Sequence, residues 1–297
     1  MPTLPALDVG GTHVTGALVD TDSWTLTGHS ARRSLDSSGS ADAILAEFCA
    51  AVDALATPGR PLGVAMPDPF DYERGIALFA DVGKFDRLHG VDVRVGIIDG
   101  VRARPSSVAF VNDADAFTLG EWIAGSARGT ERCVGITLGT GIGSGFLVSG
   151  RPARGPGLPR NGRVHTLRLG DVPLEDMVSR RAIRRQYAFH GGDRNADVRD
   201  IAHRARDGEA VAAAVLDRVM RDLAATLADV LRSFAPEIIV VGGSMSASWD
   251  LFEPSFRSGL RDAGGSDEVA IVAVRDTERA ALIGAAFFAA DAYPAAR

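Results

Sequence analysis

The amino-acid sequence predicts an α/β protein built from two packed units. Short apolar runs of strand length alternate with stretches of helical periodicity along the chain. A strand, glycine turn, strand pattern at residues 6–19 returns at residues 134–148. The 297 residues are about twice the usual length of one domain, so two cores are expected, with a cleft between them.

The first run is Ala6, Leu7, Asp8 and Val9; after the pair Gly10-Gly11 the chain returns through an apolar run at 13–19, a hairpin with an acid at its turn. Ser40 offers a helix N-cap, and Ile44, Leu45, Phe48, Val52 and Leu55 recur on one face of the helix that would follow. Residues 62–66 form a second strand pattern, 67–75 a turn-rich segment, 108–111 another strand and 114–124 a helix. The expected boundary falls there, with 1–114 and 275–297 in a small N-terminal domain and 115–274 in a larger one. The second unit opens with a strand at 134–138, a glycine-rich stretch at 139–145 and a strand at 146–148. Val211, Val215, Leu216, Val219, Met220, Leu223, Leu227, Val230 and Leu231 mark one long helix. A strand at 238–241 stops at Gly242-Gly243, and a strand at 269–274 precedes a helix of small residues at 281–290.

With 46% hydrophobic and 24% charged residues the composition is that of a globular enzyme, and no apolar run approaches the ~20 residues of a bilayer span. A net charge of -6 disfavours nucleic acid and acidic membrane surfaces, so the expected partners are small molecules. Cys49 sits on an apolar helical face and Cys133 opens a strand, a placement that suits neither a structural disulfide nor a thiolate metal site. The sequence does not open with a basic segment followed by an apolar stretch, and a cytoplasmic location is expected.

Three glycine turns end strands: Asp8-Val9-Gly10-Gly11-Thr12, the stretch from Gly139 to Gly145, and Gly242-Gly243-Ser244. Each can bring backbone amides close to an anion, because glycine carries no side chain to block a phosphate; Thr12 and Thr140 add hydroxyls. Each is also compatible with an ordinary tight turn. Asp113 ends a strand, where a carboxylate can act as a base, or it caps the helix that follows. Asn112 beside it can orient a sugar hydroxyl.

These residues resemble the repressor, open reading frame and kinase family, the ROK sugar kinases. Asp8-Val9-Gly10-Gly11-Thr12 is similar to the family's first phosphate motif, Val111-Asn112-Asp113-Ala114 to its catalytic segment, residues 138–145 to its second phosphate motif, and Gly242-Gly243 to its nucleoside-side turn. Ala281-Leu282-Ile283-Gly284-Ala285-Ala286 closes the series in the family's order. The resemblance implies an actin-like ATPase fold of the ribonuclease H-like kind, a homodimer, ATP and Mg2+. By it, Asp8 holds hydrated magnesium, and Gly10, Gly11, Thr12, Gly139, Thr140, Gly141 and Gly143 meet donor phosphates. Gly242 and Gly243 lie on the nucleoside side. Asp113 is the general base, while Asn112, His165 and Glu175 bind the sugar, whose 6-hydroxyl is the expected acceptor.

Three departures qualify the resemblance. Residues 166–174 lack the cysteines of the zinc-binding members, so zinc is not expected. Gly162 stands where the family has a sugar-contacting glutamate, which leaves space free, and Asp68 replaces a family glycine. Asp68 either pairs with a cationic amine, which favours an amino sugar such as kanosamine, or forms an Asx turn. A polyphosphate-dependent glucokinase and a non-catalytic sugar-binding protein are the alternatives. A sugar-responsive transcription factor is not expected, since the first phosphate motif begins at Asp8 and leaves no room ahead of it for a helix-turn-helix.

Overall fold

The computed structural model describes residues 2–266 and 268–292. The chain forms two compact units, one taking in everything up to Gly129 together with the stretch from Glu278 on, the other Thr130–Thr277. The first unit thus runs past 114 and includes the whole helix after Asp113. Residues 293–297 of the expected small domain lie outside the described residues.

The first unit contains β1 (Thr3–Val9), β2 (His13–Asp20), β3 (Thr25–Ser34), α1 (Ala41–Asp53), β4 (Pro61–Met66), the short strands β5 (Phe70–Asp71) and β6 (Ile76–Ala77), α2 (Val93–Gly100), β7 (Ser107–Asn112) and α3 (Asp113–Ala124). Its five-stranded sheet has the order β3-β2-β1-β4-β7. The first three strands are antiparallel, and β4 and β7 run parallel to β1. Strand alternation sends Leu62, Val64 and Met66 into a core with Ile44, Phe48, Val52 and Phe110. The opposite face of β4 carries Gly63, whose missing side chain admits the Ala285 carbonyl of a closing helix.

The second unit contains β8 (Arg132–Leu138), β9 (Ile142–Val148), β10 (Arg151–Pro152), β11 (Arg168–Leu169), β12 (Val172–Pro173), α4 (Glu175–Val178), α5 (Arg180–Phe189), α6 (Val198–Arg206), α7 (Ala210–Phe234), β13 (Ile238–Gly242), α8 (Trp249–Asp262) and β14 (Ala270–Ala273). Its sheet, β10-β9-β8-β13-β14, repeats the pattern of the first: an antiparallel meander followed by two parallel strands. Val134, Ile136, Phe146, Ile239 and Val241 pack on the long apolar stripe of α7.

The closing helix α9 (Thr277–Ala292) explains its small residues by contact. A side chain at Gly284 would run into the Ala116 carbonyl of α3, and one at Gly120 of α3 into the Ala280 carbonyl of α9. The two helices therefore cross backbone to backbone. Among the described residues, no helix is long and apolar enough to cross a membrane.

Candidate active site

In the first unit the turn between β1 and β2 leaves Asp8 at the end of a buried strand, paired with Thr15 on one side and Ala65 on the other. Burial, then the charges of Asp113 and Glu278, push the Asp8 carboxyl up from 3.8 to about 8, with Arg32 pulling the other way. Glu278 and Arg32 were not found from sequence. Glu278 Oε1 accepts from Thr15 Oγ1 at 2.7 Å and Arg32 Nη1 at 2.8 Å, and His13 Nε2 lies 3.3 Å away.

The junction of β7 and α3 separates two roles that the sequence left together. Asn112, buried, is the N-cap: its Oδ1 accepts from the amides of Ala114 at 3.0 Å and Asp115 at 3.3 Å. Its Nδ2 lies 3.0 Å from Asp68 Oδ2 and 3.1 Å from the Tyr72 hydroxyl. Both ends of the amide are therefore engaged within the protein, and a sugar hydroxyl could reach Asn112 only by exchanging one of these bonds. Asp113 is half-buried in the first turn of α3, with Oδ1 accepting from Ala114 N at 2.8 Å.

Asp68 is engaged by neighbouring side chains of the first unit. Its two oxygens meet the Tyr72 hydroxyl at 2.9 Å and Asn112 Nδ2 at 3.0 Å, so the carboxylate braces the cap. Tyr72 was also missed, because it lies in the turn-rich segment and its contact partners sit on two other strands' ends.

In the second unit the tight turn is shorter than the glycine pattern suggested. Only 139–141 joins the strands, closed by Gly139 N donating to Gly141 O at 3.0 Å, whereas Gly143 and Gly145 lie in β9 opposite Thr137 and Gly135. Thr140 is in that turn. Ser244 Oγ lies beside Gly139, and the Arg180 amide donates to the Gly139 carbonyl at 2.9 Å. The Glu175 carboxylate faces Gly141, where an added Cβ would be 3.1 Å from Oε2. Gly242 ends β13 against Thr137; Gly243, at φ +89°, donates to Thr277 Oγ1 at 2.7 Å and leaves no room for a side chain against the Leu138 backbone. Three predicted elements, at 139–141, 175 and 243–244, thus converge within one unit.

His165 is half-buried in a single helical turn that β9 fixes: Ser144 Oγ donates to the Gly162 carbonyl at 2.6 Å and accepts from Val164 N at 3.0 Å. Gly162 does not open free space. It has φ +70°, and Arg154 Nη1 would lie 2.8 Å from an added Cβ, so an L side chain there meets both backbone strain and a guanidinium. The cysteine-free stretch after it folds as the β11-β12 hairpin, tied down by Leu174 N to Leu167 O at 2.9 Å.

Among the described residues, no three His, Cys, Asp or Glu side chains are grouped to hold a metal directly. Asp8, raised first by burial and then by the charges of Asp113 and Glu278, offers hard carboxylate oxygens of the kind that suit a hydrated divalent cation held through water.

Two repeated sheets of the same strand order, each with a glycine turn between its first antiparallel strands, define an actin-like ATPase fold. The sequence model of the ROK family matches residues 4–292, and the chain belongs to that family. It is 31% identical to a glucokinase of Thermotoga maritima over 95% of this chain and 96% of the relative. Its fold is similar to that of a ROK family glucokinase from Streptomyces griseus in complex with glucose and AMPPNP, with a TM-score of 0.78 at 24% identity over 98% of this chain and 100% of the other. A ROK hexokinase from Thermus thermophilus superposes with a TM-score of 0.76 at 25% identity over 97% of each chain.

Proposed function

We propose that this protein is an ATP-dependent sugar kinase that phosphorylates a hexose or amino-hexose at the 6-hydroxyl, with Asp113 as general base. The observation that carries this function is the division of labour at the start of α3. Asn112 supplies the helix cap, so Asp113 is not needed for it and can take a hydroxyl proton. The raised Asp8 supports the same assignment, since a carboxyl pushed up first by burial and then by the charges of Asp113 and Glu278 is one whose ionised form a bound cation would stabilise.

Phosphoryl transfer needs its charge neutralised and its acceptor oxygen held in line. Mg2+ would supply charge neutralisation at the donor phosphates, with Asp8 holding its waters. By the family assignment Gly10, Gly11, Thr12, Gly139, Thr140, Gly141 and Gly143 would meet those phosphates, and Gly242 and Gly243 would flank the nucleoside. His165 and Glu175 would bind the sugar, and Asp68 would act through Asn112, as its geometry favours support over direct contact. The family assignment also suggests a homodimer in the cytoplasm.

The test is a hexose panel assayed with ATP and with polyphosphate, in wild type and Asp113→Asn. ATP-dependent turnover that falls roughly 10²- to 10⁴-fold in the folded variant is expected. A variant within a few-fold of wild type refutes Asp113 as the base, and turnover with polyphosphate alone refutes ATP as donor.

A further inference from the structure

The residue that follows the first glycine turn is a histidine held at both ring nitrogens. His13 Nδ1 lies 3.1 Å from Thr12 Oγ1, and Nε2 lies 3.3 Å from Glu278 Oε1. The ring rests over the turn, with Cε1 3.5 Å from the position of a Cβ on Gly10. Glu278 is fixed in turn by Thr15 Oγ1 at 2.7 Å and by Arg32 Nη1 at 2.8 and 3.0 Å from its two oxygens.

Hydrogen bookkeeping then constrains Thr12. A carboxylate only accepts, so the His13 nitrogen facing Glu278 carries the hydrogen. In the neutral ring Nδ1 is then an acceptor, and the Thr12 hydroxyl hydrogen points to it. Thr12 would offer lone pairs to an arriving phosphate, which also only accepts. We propose that binding of donor phosphate at Thr12 is coupled to uptake of one proton by His13. The imidazolium donates Nδ1–H to Thr12 Oγ1, which frees the hydroxyl hydrogen for a phosphate oxygen; the proton comes from solvent and no covalent bond changes. His13 and Glu278 are thereby positioning residues for the donor, and this role rests on the kinase function proposed above. The charged groups around the array are Glu278 on α9, Arg32 on β3, Asp8 near the end of β1 and Asp113 at the start of α3, with Asp8 interacting with Glu278, Arg32 and Asp113.

Two measurements test it. In ¹⁵N spectra of the wild-type protein, the free His13 ring above its titration is expected as the Nε2–H tautomer, and saturation with Mg-AMP-PNP is expected to protonate both nitrogens. An Nδ1–H tautomer in the free protein, or a neutral ring in the complex at a pH where the free ring is neutral, overturns the proposal. In kinetics, the KM for ATP of wild type relative to that of Thr12→Val should rise roughly tenfold with pH across the ring's titration, the worth of one hydrogen bond to a charged group, because the proton linkage of Asp8 is common to both proteins. An equal rise of KM in both proteins overturns the coupling. If wild type phosphorylates no hexose from either donor, the kinase function fails, and the spectra with Mg-AMP-PNP decide the coupling alone; absence of any spectral response to saturating Mg-AMP-PNP overturns it.

Discussion

Replacing Asp8 by asparagine should make the metal-free protein more stable while abolishing its activity. The folded-state pKa of about 8 lies above the ordinary 3.8, so the associated stability is fully present below about pH 4 and is lost as pH rises toward 8. At pH 7 the gap from 3.8 is about 3 units, and at about 1.4 kcal/mol per unit this amounts to ~4 kcal/mol. Asp8 keeps part of its surface in water, which screens its neighbours' charges, so about half of that, ~2 kcal/mol, is expected. Asparagine keeps the shape without the charge. In EDTA at pH 7 the variant should gain ~2 kcal/mol, or roughly 4–8 °C in Tm for a chain of this size, and at pH 4 the gain should vanish. Calorimetry of both proteins from pH 4 to 8.5 measures this directly. The same linkage requires Mg2+ binding to wild type to release protons near pH 7 and to tighten as pH rises to about 8. A gain that does not change with pH, or a variant less stable than wild type at pH 7, refutes the raising of Asp8 by burial and by the charges of Asp113 and Glu278.

Two further substitutions probe the support of the site. Gly284→Ala should cost about 3 kcal/mol in chemical denaturation, the upper end for overpacking, because the new methyl meets the Ala116 backbone and not a side chain that can turn away; a cost under 1 kcal/mol would mean that α3 and α9 separate freely. Asp68→Gly should lower kcat/KM for glucose, glucosamine and 3-amino-3-deoxyglucose alike, roughly tenfold, because the carboxylate braces Asn112. A loss confined to the amino sugars would restore direct pairing of Asp68 with an amine.

The parts of the fold that were legible in the sequence were those encoded locally. Val134, Ile136 and Leu138 alternate on a strand, and the stripe from Val215 to Leu231 recurs at helical spacing, so each element carries its own signature. The acids at strand ends were legible for the same reason, since Asp8 and Asp113 stand where an apolar run stops. Glycine was legible only in part. In 139–145 the same residue type makes a turn at Gly139 and Gly141 and a strand at Gly143 and Gly145, and what separates them is Ser144, buried and bonded to a carbonyl 18 positions away. A hydroxyl between two glycines does not announce that partner. The support of the acids was the least legible, because it is made wholly by tertiary contact. Thr15 and Glu278 are 263 positions apart, and Asn112 meets an aspartate 44 positions upstream. Sequence therefore locates the groups that can do chemistry, whereas the contacts that support them, with Asn112 capping α3 and meeting Asp68, follow from which distant side chains the first unit brings together at its strand ends.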